Sequence, residues 1–328
     1  MYLRKQKRPK PKHKAPRWQA RPLVIVSLLI AYLGIVLITY PSAAQWVSQY
    51  HQSIIVRDMN QEIINVAPQN QAKISEAQHY NEELRSGATI ESNANIAKGE
   101  AGAAPSIKNY YDLLSVNGSG YMGRIIIPSI EVDLPIYHGT SDTVLETGIG
   151  HLEGTSLPVG GTSTRSVLTG HRGLANAEMF SNLDKVAVAD TFSVAILGEV
   201  FTYRVRDIKV IAPEETESIR PEADKDLMTL ITCTPLGVNS HRILVTGERV
   251  IPSPQEDKTL ALAEPNLPHF PWWIVWLVSA FIFMLVYIWI SGRPVKSAQK
   301  RTNRGSTKDT ENRVEDSANR QNIRHASR

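Results

Sequence analysis

The sequence predicts a mainly β domain, a barrel or sandwich with short helices, preceded by helical segments and flanked by two transmembrane helices. Three observations predict it. Two apolar runs without charge, Leu23 to Tyr40 (18 residues) and Trp272 to Ile290 (19 residues), stand toward the two ends of the 328-residue chain. At about 1.5 Å per residue, each matches a hydrocarbon core of roughly 30 Å. Between Tyr121 and Val250, short β-branched and aromatic runs alternate with Gly, Pro and Asn turn residues at close spacing, as in a many-stranded barrel or sandwich. The net charge of +4 conceals a three-way split: residues 1–40 carry nine basic and no acidic residues, residues 270–328 ten basic and four acidic, and residues 41–269 17 basic and 28 acidic.

The split orients the chain. Both basic tails lie outside the apolar runs, so the positive-inside rule puts residues 1–22 and 291–328 in the cytoplasm and the acidic middle outside the cell. That acidic middle lacks the basic face that nucleic-acid binding requires, which excludes that class. Trp272, Trp273 and Trp289 fall at the ends of the second span (272–290), where amphipathic rings settle. Ser42 and Ala44 would suit a cleaved signal peptide. The first run (23–40) is longer than a usual signal core and follows a long basic segment, so an uncleaved anchor is favoured.

The elements follow in order. The Pro- and Lys-rich tail is too polar to fold alone. In residues 41–87, Trp46, Tyr50, Ile54, Met59 and Ile63 recur at helical spacing, Pro68 ends that helix, and Gln71 to Leu84 forms a second one. Both are read as packing or spacer elements near the membrane. Residues 88–107, rich in Ala, Gly, Ser and Asn and free of aromatic residues, are expected to form a lid-like loop. The β domain spans 108–252. Its strands are Gly123–Ile127, Val132–Tyr137, Ser166–Thr169, Thr191–Leu197, Val200–Val210, Leu227–Cys233 and Arg242–Val250. Pro135 marks its strand as an edge, Gly198-Glu199 signals a hairpin, and Ala175–Leu183 reads as a helical insert. Residues 253–271 are a Pro-rich linker back to the membrane, and the polar tail after residue 290 is expected to be disordered.

Cys233 is the single cysteine, in an exported segment where it cannot form an intramolecular disulfide. A lone cysteine on a strand is commonly a small buried hydrophobe. An exported thiol without a partner also suits a nucleophile. If the last two strands pair as a hairpin, Arg242 becomes a neighbour of Cys233, where a guanidinium favours the thiolate and can donate to a carbonyl oxygen under attack. The proton-transfer partner would be a histidine. Of nine, four lie in the β region: His138, His151, His171 and His241. His171 is favoured because it sits where a strand ends in a Gly-rich turn, while His241 adjoins Arg242 and would face the other way. No metal or cofactor is expected, since the spacings of 13 and 20 among His138, His151 and His171 match no compact metal motif.

These residues resemble a known family. Thr229-Leu230-Ile231-Thr232-Cys233, His171 in Leu-Thr-Gly-His-Arg-Gly, and Arg242 nine residues after the cysteine resemble the motifs of sortases, membrane-bound cysteine transpeptidases of Gram-positive bacteria. Residues 138–184 and 233–249 are similar to class C, the pilus-assembling sortases, over a resemblance that covers roughly 105–252. It implies an eight-stranded sortase-type barrel in which Cys233, His171 and Arg242 are catalytic and Thr232 is a supporting residue beside the thiol. It implies cleavage of an LPXTG-type sorting signal between Thr and Gly through a thioacyl enzyme. Its partners would be pilin or surface proteins, with a pilin lysine or a cell-wall amine as nucleophile. Class C enzymes usually carry an Asp-Pro-aromatic lid over the cysteine. Residues 86–107 contain neither Asp nor an aromatic residue, so weaker occlusion is expected. The competing readings are a sortase that anchors surface proteins to peptidoglycan and a non-catalytic, membrane-tethered binding domain.

Overall fold

The computed structural model describes residues 18–65, 67–85, 88–90, 97–99 and 110–294. Helices α1 (Pro22–Asn65) and α2 (Ala67–Arg85) lead into two short paired strands, β1 (Ala88–Ile90) and β2 (Ala97–Gly99). The rest of the expected lid-like loop lies outside the described residues. Eight further strands then close a barrel: β3 (Tyr121–Ile127), β4 (Val132–His138), β5 (Ile149–His151), β6 (Thr164–Thr169), β7 (Thr191–Ile196), β8 (Glu199–Ile211), β9 (Asp226–Thr234) and β10 (His241–Arg249). Around the barrel the order is β3-β4-β5-β6-β9-β10-β8-β7 and back to β3. The β4–β5 and β6–β9 contacts are parallel, and the others are antiparallel. The remaining helices are α3 (Asp142–Thr147), α4 (Gln255–Leu262) and α5 (Trp272–Ser291).

The barrel is the expected β domain, and its interior is the main core. Ile125, Ile127, Ile136, Val194, Met228, Leu230 and Val245 are buried there. The inner faces of α1 and α2 join the same cluster through Ile63, Ile74, Ala77 and Tyr80. Asn81 fixes α2 by donating to Leu157 O (3.0 Å) and accepting from Leu157 N (2.6 Å). A second apolar stripe (Val167, Ile211, Ile219 and Leu244, with Leu152 and Ile231 against it) lies on the outer face of β6, β9 and β10.

Four local expectations are corrected. Helix α1 runs unbroken through Pro41, which forfeits one backbone bond while the flanking turns continue. The linker between residues 253 and 271 contains α4. Ala261 of α4 covers the outward residues Ile126, Ala195 and Val200, so β3 is buried along its whole length. Buried Arg124 locks it in place, pairing with both carboxylate oxygens of Asp133 at 2.6 Å and donating to Ala261 O and Ala263 O. Strand β4 is not an edge, because the barrel has none. Pro135 is tolerated because β5 pairs only with Ile136 to His138, so the missing N–H faces a position with no partner strand.

Finally, Ala175–Leu183 is a run of turns that ends in a 3-10 turn at Leu183–Lys185. Ala177, Phe180 and Leu183 are all buried, a spacing of three that imitates a helix, but Met179 breaks the run at φ +44°.

The chain divides into two compact units. Residues 32–280 hold the barrel and its helices. There Trp46 stacks on Tyr50, meets Trp273 edge-on at 6.3 Å and donates to His269 O. In the other unit, Trp18 Nε1 donates to Trp289 O, and Arg293 lies 3.6 Å over the Trp289 ring. Helices α1 and α5 are each long and apolar enough to cross a membrane.

Candidate active site

The site is built by register at one end of three adjacent strands. In the β9–β10 ladder, Cys233 and Arg242 are direct partners. Cβ atoms so placed stand about 5 Å apart. In the parallel β6–β9 ladder, Thr169 is level with Ile231. His171 follows Thr169 by two residues and Cys233 follows Ile231 by two, so both lie just past the same end of this ladder, His171 in the turn after β6. Strand alternation puts Cys233 and Arg242 on the same outer face as Ile231 and Leu244, at the end of the outer apolar stripe. Cys233 is half-buried and has a free thiol.

The turn carrying His171 is tied to β9 from both sides of one residue. Gly170 N donates to Ile231 O at 3.1 Å, and the buried Thr232 hydroxyl donates to Gly170 O at 2.8 Å. Thr232 therefore holds the histidine turn from the inner face of the strand. Gly170 has no room for a side chain, since a Cβ there would stand 2.7 Å from Ile149 and 2.8 Å from Phe180. Phe180 N in turn donates to His171 O at 3.0 Å. The guanidinium of Arg242 is turned back onto its own loop, donating to Asn239 O (2.9 Å) and His241 O (3.0 Å). Among the described residues, neither the Cys233 sulfur nor the His171 ring makes a hydrogen bond. Both are free to engage a third group.

The other β-region histidines stand apart. His151 is fully buried. Its Nε2 donates to Ser156 O at 2.9 Å, and the Tyr110 hydroxyl meets its Nδ1 at 2.9 Å. Burial pushes His151 down to about 4, and lowers His138, which lies between Gly120 O (2.9 Å) and Leu113 O (2.7 Å). Both serve as packed internal links. His241 pairs with Thr234 and bonds Ser240 in the exposed loop. Among the described residues no group of three or more His, Cys, Asp or Glu is arranged to hold a metal ion.

One residue of the turn escaped sequence reasoning. Arg172 is a buried guanidinium bonded to Ser181 O, Asp184 and Thr234. Its position after the histidine is visible in the sequence, but its partners lie nine, twelve and sixty-two residues away, and the two nearer ones are placed by turns that include Ala175–Leu183, read from the sequence as a helical insert.

Comparison with known proteins gives a consistent result. A family description, "Sortase domain", matches residues 125–250. A curated sortase A from Streptococcus agalactiae serotype III is 30% identical over 130 residues, 39% of this chain and 52% of that protein. The chain thus spans about half the length of that relative. Among solved structures, sortase C1 from Streptococcus agalactiae is 40% identical, covers 60% of this chain and 97% of its own, and superposes with a TM-score of 0.53. Streptococcus pneumoniae sortase C, described in relation to catalysis and pilin substrate specificity, is 34% identical, covers 60% and 96% respectively, and has a TM-score of 0.53. With a barrel of eight strands, a cysteine and an arginine paired across its last hairpin, and near-complete coverage of solved class C members, the chain belongs to the sortase family.

Proposed function

We propose that the protein is a membrane-anchored cysteine transpeptidase that joins sorting-signal proteins to a pilin lysine. The Cys233 thiolate attacks the Thr carbonyl carbon of an LPXTG-type signal. The Thr–Gly C–N bond breaks, the departing glycine amine takes its proton from His171, and a thioester remains on Cys233. A lysine amine then attacks the thioester and gives its proton to His171. The C–S bond breaks, the thiolate returns, and an isopeptide bond is left. Arg242 holds the substrate and the developing oxyanion with donors of fixed planar geometry. For this its guanidinium must leave the loop carbonyls it now bonds.

The observation that carries the reading is the direct pairing of Cys233 with Arg242, with the His171 turn tied to β9 beside it through Gly170. Similarity to a sortase C described in relation to pilin substrate specificity favours pilin substrates. The two apolar helices and the basic tails support an extracellular catalytic domain with both termini cytoplasmic.

The test is transfer itself. The full chain in detergent is given a sorting-signal peptide with either a lysine-bearing pilin or a cell-wall peptide amine. Product on the pilin lysine, abolished in Cys233→Ala, is expected. Product on the cell-wall amine alone would replace pilus assembly with surface-protein anchoring. No transfer or cleavage by the wild-type chain, with peptide binding unchanged in Cys233→Ala, would leave a binding domain.

A further inference from the structure

Resting on the assignment of Cys233 and His171 above, we propose that Arg172 is a positioning residue that sets the distance between them. His171 lies in a turn with no regular backbone ladder of its own. Arg172, next to it, spends all three guanidinium nitrogens on three different partners: Nε donates to Ser181 O at 3.2 Å, Nη1 to Thr234 Oγ1 at 2.9 Å, and Nη2 pairs with Asp184 Oδ2 at 2.6 Å. Thr234 is the residue after Cys233. One rigid side chain therefore bridges the residue after the histidine and the residue after the cysteine. Ser181 and Asp184 fix its outer side, and Gly173 N donates to Ser181 Oγ at 3.0 Å to close the same turn.

The guanidinium is suited to this. Its side chain is 8% exposed while Asp184 is 43% exposed, so the cation was drawn inward and its carboxylate left near solvent. Burying a cation costs free energy that a surface ion pair does not return, which points to a geometric requirement. A planar fork holds three directions at once, whereas a lysine ammonium on a flexible stem does not. The thiol and imidazole are not yet hydrogen-bonded, and a misplacement of about 1 Å costs about a hundredfold in rate. Gly170 and Thr232 restrain the turn from before the histidine, and Arg172 restrains it from after.

The experiment uses the full chain in detergent with two readouts, steady-state cleavage of a sorting-signal peptide and the pH profile of Cys233 alkylation by iodoacetamide. Arg172→Gln is expected to lower kcat about ten- to a hundredfold with KM little changed. It should displace the alkylation profile in the direction His171→Ala does. Arg172→Lys is expected to restore little. In a His171→Ala background, Arg172→Gln should change the alkylation profile no further. An equal displacement in that background, or unchanged kcat in Arg172→Gln, would overturn the proposal. Should Arg172→Gln fail to fold, Thr234→Val removes the single bond to the cysteine strand and carries the same comparison. Wild-type cleavage by Cys233→Ala or His171→Ala would instead overturn the assignment on which the proposal rests.

Discussion

Cys233 stands where β9 turns from its buried interior toward solvent, paired directly with Arg242, and the turn that carries His171 follows the adjacent β6 at the same end of the sheet. If Arg242 stabilises the oxyanion, its planar donors matter beyond its charge. Arg242→Ala should lower kcat/KM about a hundred- to a thousandfold, and Arg242→Lys should recover little of it, as read by steady-state peptide cleavage.

A second residue-scale expectation concerns stability. His151 titrates near 6.5 when unfolded and is pushed down to about 4 by burial. Its contribution is present above 6.5 and is lost as pH falls toward 4, because the unfolded chain binds the proton first. About 3 kcal/mol is at stake. The melting temperature should fall across that window, and fall less steeply in His151→Gln. His138, also lowered, adds to the same slope, while burial raises the neighbouring Tyr110 hydroxyl well above its ordinary value and keeps it protonated throughout.

At the scale of elements, the turn after β6 is held by contacts too close for any added atom. Gly170→Ala must displace Phe180 or Ile149. It should cost about 1–3 kcal/mol in denaturant unfolding and about tenfold or more in kcat as His171 moves. Helix α4 is latched by the buried Arg124–Asp133 pair, whose side chains are 3% and 9% exposed. Arg124→Ala leaves Asp133 uncompensated and should destabilise the domain by about 3–5 kcal/mol.

These elements also show what the sequence could reveal. Strands β3, β4 and β6 to β10 were legible because their apolar residues run unbroken or alternate between turn residues. The Cys233–Arg242 pairing followed from one short loop. Helix α4 was hidden because Gln255–Leu262 is polar and lies between prolines, and its role depends on Arg124, more than a hundred residues earlier. The 175–183 segment misled because side chains spaced by three can be buried by successive turns as well as by a helix. Arg172 could not be found, since its three partners converge only after those turns form.

At the scale of the molecule, the charge split and two helices long and apolar enough to cross a membrane support the proposed orientation, with the catalytic domain outside and both tails inside. Protease applied to intact cells should therefore remove the barrel and leave both tails protected. Cleavage of a tail would contradict that orientation. If Cys233 carries the acyl group, intact mass spectrometry of the full chain, mixed with an LPXTG-type peptide in the absence of any amine acceptor, will show it. The expected result is an added mass equal to the peptide up to its Thr, mapped to Cys233 and discharged when a pilin lysine is supplied. Peptide cleaved with no adduct on Cys233, or an adduct on another residue, would contradict it.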